Sequence, residues 1–325
     1  MNGGAPTIRL PIPLDVTIPF WFDRPPMEAF DIAAHAEAAG ADELWVGEMA
    51  TWDSPALAAA IARTTRQLTL VVGPLPVKVH DPVALAMGVA SVAAIGGRPA
   101  HLAIGASSPV VVEHWHGRPY ERMGTAMIET FEALGPLLAG RRGPGGYRLR
   151  LDPPGGGLRM AVFGPRLTRY AAQHADMVVV NMCTPAQVVP YRATMDEAAD
   201  QVGRVRPVMG TWMSVGLDPG PASLRQIATQ LVAYVAAPGY GEQMAAAGFA
   251  DIVARARSGE VPLPALADEI PEALIRAFGL FGSPREIVQQ MSDYRDAGMD
   301  RIAIGPVTAE DHGGERLLRE LGRLR

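Results

Sequence analysis

Three stretches of the chain repeat one design: AAGADELWVGE (38–48), AAQHADMVVVN (171–181) and DAGMDRIAIGP (296–306). Each closes a helical pattern, turns through a small segment carrying an aspartate, and enters a short, almost wholly apolar strand. Strands without a polar alternate face belong in parallel sheets covered on both sides. The repeating unit is therefore helix, turn, strand.

Collecting such segments gives strands near 8–18, 42–47, 68–73, 100–105, 159–163, 176–181, 207–215 and 300–305, with helices between them. Eight parallel strands alternating with helices close into a (β/α)8 barrel. The expected fold is thus α/β, a TIM barrel made by residues 1–325 as one domain. Two connections exceed an ordinary loop: 141–158, an inserted connector, and 216–299, an insertion that adds helices over the barrel mouth.

Local punctuation supports the helices. Pro25-Pro26 opens one whose apolar face runs Met27, Phe30, Ala34, Ala38 and which ends at Gly40. Asp81-Pro82 supplies an N-cap and a first residue, and Ser283-Pro284-Arg285-Glu286 is a capping box for a helix closed by Gly298. Tyr120, Met123, Met127, Phe131, Leu134 and Leu138 form a long apolar stripe.

Composition narrows the partner. A net charge of −5 with no basic block carries no footprint for nucleic acid. The single Cys183 cannot pair within the chain, and no Cys/His spacing suits zinc. The opening MNGGAPTIRLPIPL lacks the features of a leader peptide, and no run approaches 18 apolar residues. A soluble cytoplasmic protein with a small-molecule partner is expected, with no membrane contact.

In such a barrel the site lies just beyond the strands' C-terminal ends. Those corners read IPFWFDRPP, GEMATWDSP, GPLPVKVHDP, GASSPVVVEHWHG, FGPRLTRY, NMCTP and GTWMSVG. They are poor in charge and rich in glycine, serine and aromatics, a lining suited to a planar cofactor and an apolar substrate. Plainer readings compete: His80-Asp81-Pro82 as a helix start, Gly155 to Gly157 as a connector, His101 and Trp45 as structural. Phe163-Gly164-Pro165 reads either as a turn or as an anion site at a helix start. Phe20, Trp21 and Phe22 are consecutive and cannot all face inward, which favours a pocket wall.

Taken in order, AEAAGADELWVGE, TTRQLTLVVGPLP, HDPVALAMGVASVAAIGGR, LAIGASSPVVVEHWHGRPYERM, AVFGPRLTRYAAQHAD, YVAAPGYGEQMAAAGF and FGSPREIVQQMSDYRDAGMDRIAIGP resemble the bacterial luciferase-like superfamily. Ser107-Ser108-Pro109 through Trp115-His116-Gly117 resembles its branch of oxidoreductases that use the deazaflavin coenzyme F420. The resemblance implies a ring at the mouth contacted by Glu48, Met49, Val72, Gly73, Pro74, Leu75, Gly105, Ala106, Ser107 and Ser108. It also implies cofactor phosphate at Phe163, Gly164 and Pro165, a bulge after strand three with a cis bond at Gly73-Pro74, and a homodimer. His114 and Trp115 would begin the helical segment beside the ring.

One departure matters. Many relatives place an Asp-His pair after strand two, whereas this chain has Glu48-Met49, and methionine exchanges no proton. Acid–base chemistry then falls to Glu48, Asp53, Ser108, His80 or His114, with Glu48 first and a helix-capping role as its plain alternative. The function implied is an F420-dependent reductase, passing hydride from deazaflavin C5 to a C=N, C=C or C=O bond, with imine or activated alkene favoured over alcohol chemistry. Its substrate would be held by Phe20, Trp21, Phe22, Trp52, His80, Trp212 and Tyr240. An FMN monooxygenase and a non-catalytic flavin-binding or deazaflavin-binding barrel are the alternatives.

Overall fold

A computed structural model describes residues 8–325; residues 1–7, part of the segment read for a leader, lie outside the described residues. Nine parallel strands run β1 (Leu14–Thr17), β2 (Glu43–Val46), β3 (Thr69–Pro76), β4 (Ala100–Gly105), β5 (Gly155–Ala161), β6 (Met177–Val179), β7 (Val208–Leu217), β8 (Gly279–Gly282) and β9 (Arg301–Pro306). Eight of them close a ring, β1 to β7 in order and then β9, which returns to β1. The (β/α)8 barrel is therefore as expected.

Helices α1 (Glu28–Ala38), α2 (Ser54–Thr64), α3 (Pro82–Gly96), α4 (Met123–Leu138), α5 (Pro165–His174) and α6 (Pro185–Asp200) alternate with the strands. After β7 come α7 (Pro221–Val235), α8 (Tyr240–Met244), α9 (Ala250–Ser258), α10 (Leu263–Leu266) and α11 (Glu272–Ala277). The ring resumes with α12 (Pro284–Asp296) and ends in α13 (Glu315–Gly322). The caps act as their residues dictate: Asp81 Oδ1 accepts the Val83 and Ala84 N–H groups, and the box between Ser283 and Glu286 is complete.

Four expectations are corrected. The first strand begins at Leu14, because Pro11 and Pro13 have no N–H to give a ladder; Leu10 N–H instead donates to Leu324 O at 2.7 Å. Gly155 to Gly157 open β5 and are not a connector, since β5 runs so close to the Ala100 backbone that position 156 has no room for a side chain. The 216–299 stretch holds, besides the helix expected from the Ser283 box, an unexpected strand, β8. Four residues are too few to show a pattern; β8 pairs with Ser214–Leu217 of β7, above the level where β6 pairs with the same strand. Finally, α1 buries Ala29, Ile32, Ala33 and Ala36, so Met27 and Ala34 face outward, and the larger Ile32 sets the inner face.

The barrel interior is layered by the period of two along each strand. From β2, Glu43, Trp45 and the following Gly47 point inward; from β4, His101, Ala103 and Gly105; from β9, Arg301, Ala303 and Gly305. Trp45, Val71, Ala103, Val179 and Ala303 form the middle layer, with Trp212 and Ala161 packed on it. Charged residues thus fill the bottom of the barrel, an apolar band its waist, and glycines line its top.

Candidate active site at the barrel mouth

Gly47, Gly105 and Gly305 form the layer above the waist, and Phe20, Pro74 and Thr17 pack against them in turn. Phe20 lies over Gly47, and Pro74 beside Gly105, each so close that a methyl at either glycine would stand 3.1 to 3.2 Å from it. The Gly73-Pro74 bond is cis, and the β3–β4 register shifts between Val72 and Leu75, so the bulge lies where the resemblance puts it. Beyond β4, Ser107 takes a left-handed φ of 59°, as does Met182 beyond β6 at 51°. Such non-glycine conformations cost energy and collect at functional corners. The Tyr120 hydroxyl holds the Ser107 turn by donating to its carbonyl at 3.0 Å.

Two residues from different corners meet here. Glu48, just past β2, and His80, in the turn between β3 and α3, pair at 2.8 Å through Oε1 and Nε2. The second Glu48 oxygen, Oε2, is buried with no hydrogen-bond partner among the described residues. The Glu48 carboxylate holds His80 above the ordinary histidine value, outweighing the ring's partial burial, and Asp53 and Asp81 add to the effect.

Two of the other acid–base candidates are engaged in capping, and a third faces solvent. Asp53 caps α2, accepting the Ala56 N–H at 2.8 Å. Ser108 Oγ accepts the Val111 N–H at the start of a π-helical turn, Val110–Trp115, on which His114 is exposed. Met49 is half-buried past β2 and adds no charge.

Among the aromatics, Trp21 is buried with Met182, Ile227, Phe281 and Val307 beneath α7, its Nε1 donating to Pro306 O at 2.9 Å, while Phe22 faces solvent. Only Phe20 of that trio lies against a mouth glycine. Trp52 donates from Nε1 to Pro26 O and meets Phe30 edge-on at 6.1 Å, and Trp212 stands edge-on to Trp45 at 5.5 Å. Gly164 opens α5 as the strand–glycine–helix reading expects, with no side-chain cap and free space beside its Cα. Tyr240, carried in by α8, packs on Phe163 at 4.6 Å and on Tyr234 at 4.9 Å.

Sequence reasoning missed the Glu48–His80 pair and the glycine layer. The second had a signal: ELWVG, HLAIG and RIAIG share one inward pattern of charged or polar residue, waist residue, glycine. The pair had none, because its members are 32 positions apart in separate loops.

The opposite end of the barrel carries its own charges. Arg301 grips Asp15 at 2.5 and 2.6 Å, Arg159 grips Glu43 with two bonds of 2.6 Å, and His101 Nδ1 accepts the Gly157 N–H. Burial pushes the Asp15 carboxyl up to about 7 against the pull of Arg301. For Glu43, burial acts in the same direction but is overcome by Arg159, which holds it below the usual range. His101 is pushed down to about 4 by burial and by Arg159. A cavity of about 490 Å³ opens there, outside Glu43, His101 and Arg301.

A closed parallel barrel with glycines at its strand tips and extra helices after β7 defines a TIM barrel. Its family is equally plain: the luciferase-like monooxygenase family matches residues 16–301, and the chain belongs to it. A 5,10-methylenetetrahydromethanopterin reductase of Archaeoglobus fulgidus is 21% identical over 294 residues, covering 85% of this chain and 88% of that one. The structure of a coenzyme F420-dependent tetrahydromethanopterin reductase from Methanopyrus kandleri superposes with a TM-score of 0.78 at 17% identity, over 96% of this chain and 98% of that one. An F420-dependent secondary alcohol dehydrogenase bound to an F420-acetone adduct gives 0.74 at 15%, over 97% and 100%.

Proposed function

We propose that the chain is an F420-dependent oxidoreductase that works as a reductase, adding hydride to a C=N, C=C or C=O bond of a small organic substrate. The observation that carries this reading is the buried acceptor on Glu48, just past β2 at the barrel mouth, which has no partner among the described residues. A buried carboxylate oxygen without a donor is costly, and the pyrimidine edge of a deazaflavin brings N–H donors. The names of the relatives favour the same cofactor. When bound, a reduced deazaflavin supplies a hydride from C5.

The chain's own residues have distinct tasks. Gly105, Ala106, Ser107 and Ser108 bind the ring along one side, with Val72, Gly73, Pro74 and Leu75 behind it. Gly164 and the free N–H groups opening α5 take phosphate. Phe20 and Tyr240 orient the substrate, and α7 to α11 exclude water. Residues 1–325 act as one domain in this reading. A homodimer is supported by the outer face of α2 and α3, where Ala56, Ala60, Met87, Ala94 and Ile95 are exposed and α3 carries no charge.

Titration with oxidised F420 and with FMN, followed by turnover with reduced F420 on imines, enones and ketones, tests the proposal. Saturable F420 binding with oxidation of the reduced form is expected. Oxygen consumption with reduced FMN alone identifies a monooxygenase instead, and tight F420 binding without hydride exchange identifies a carrier.

A further inference from the structure

Glu48 and His80 form an arrangement that the family resemblance does not supply, for the motif position that usually offers a histidine is Met49. An imidazole returns to that neighbourhood from a different corner of the barrel. Three features of its placement limit what it can do. Among the described residues His80 bonds to side chains through Nε2 alone, leaving Nδ1 for another partner, and the ring is only partly buried. Glu48 has that imidazole as its one side-chain partner among the described residues, so a neutral His80 would leave a largely buried carboxylate uncompensated. The titratable groups facing His80 are Glu48, Asp53 and Asp81, all acidic, and the two aspartates are occupied in capping α2 and α3.

Resting on the F420 reading above, we propose that His80, oriented by Glu48, is the proton donor of the reaction, and that the substrate is a carbonyl or imine whose heteroatom receives the Nδ1 proton. The substrate carbon gains a hydride from the reduced deazaflavin. Its oxygen or nitrogen gains the His80 proton as the π pair moves onto it. His80 regains a proton from solvent while the reduced cofactor, on oxidation, releases one, so substrate and reduced cofactor become alcohol or amine and oxidised cofactor, with nothing left over. Glu48 is the positioning residue: it fixes which nitrogen faces the mouth and keeps the ring charged between turnovers. An alkene activated only at carbon has no heteroatom at the site of reduction to take this proton, which moves the preferred substrate toward C=O and C=N.

Two measurements test this. In the cofactor-free protein, NMR titration of the His80 ring is expected to give a midpoint above that of an ordinary histidine, falling by about one pH unit in Glu48→Gln. In the loaded enzyme, His80→Gln is expected to keep the F420 dissociation constant and the substrate KM, to lower kcat about 100-fold, and to remove the alkaline limb of the kcat profile. An ordinary His80 midpoint that ignores Glu48→Gln overturns the proposal, as does a His80→Gln enzyme with unaltered kcat and pH profile. Failure of the unmodified protein to bind F420 overturns the functional reading and this proposal together, whereas normal turnover with an indifferent His80→Gln overturns only the latter.

Discussion

Each end of the barrel sets a histidine beside a glutamate, and the two histidines are driven in opposite directions. At the bottom, His101 lies 3.8 Å from Glu43, yet burial and Arg159 push it down to about 4. At the mouth, His80 lies 2.8 Å from Glu48 with no basic group opposing it, and it is raised. The difference is one of completeness. Arg159 and Arg301 take up both oxygens of Glu43 and Asp15, so the bottom is closed to further chemistry although a cavity reaches it. Glu48 keeps one oxygen unmet. Matched charges hold a fold together; an unmatched one invites a ligand.

The largest expected effect breaks the bottom. Arg159→Met leaves Glu43 buried without its bidentate partner, and removal of one member of such a pair costs about 3–5 kcal/mol. The cation over Trp45, 4.9 Å from the ring centroid, is lost as well. Urea denaturation is expected to show this loss, while cofactor affinity of the remaining folded protein is unchanged. If the bottom were catalytic, activity would fall more steeply than the folded fraction.

At the mouth the balance reverses. Glu48→Gln relieves a buried carboxylate oxygen that has no donor, at the expense of the ionic contact to His80. Stability is expected to change by less than about 1 kcal/mol, while turnover falls about 100-fold. Unfolding curves and kcat measured on the same preparation decide this. A large stability loss with little change in kcat would make Glu48 a structural residue.

The pH dependence of stability sharpens the comparison further. A depressed histidine contributes stability above its unfolded value of 6.5 and loses it as pH falls, so His101 weakens the fold from pH 6.5 down to about 4. A raised histidine does the opposite: the His80 contribution is complete below 6.5 and fades as pH rises through its folded value. Denaturation midpoints across pH 4 to 9 are expected to lose the His101 contribution between pH 4 and 6.5 in His101→Gln, leaving the opposing contribution of the raised Asp15 carboxyl, and to lose part of their alkaline slope in His80→Gln.

Much of the barrel was legible because its rules are local. Asp81-Pro82 and the Ser283 box mark helix starts within four residues, and near-continuous apolar strands mark a parallel sheet. What escaped notice depends on closure. GLFG at 279–282 becomes a strand only because β7 offers an open edge above β6. Gly156 reads as flexible until the Ala100 backbone is brought against it. His80 looks like the residue before a helix cap, and only the meeting of two loops makes it the partner of Glu48.

The smallest expected effect separates two carboxylates that share the mouth. Asp53 stands five residues beyond Glu48 and is a candidate to move a proton ranked after it, but its Oδ1 is committed to the Ala56 N–H. Asp53→Ala removes an N-cap and is expected to cost about 1 kcal/mol, whereas Asp53→Asn, which also caps well, should cost far less. Neither should change kcat, since the residue reaches His80 only as a distant charge. Paired unfolding and kinetic measurements on the two variants check this, and a kcat that falls in Asp53→Asn, where the cap survives and the charge does not, would transfer the acid–base role from the Glu48–His80 pair to Asp53.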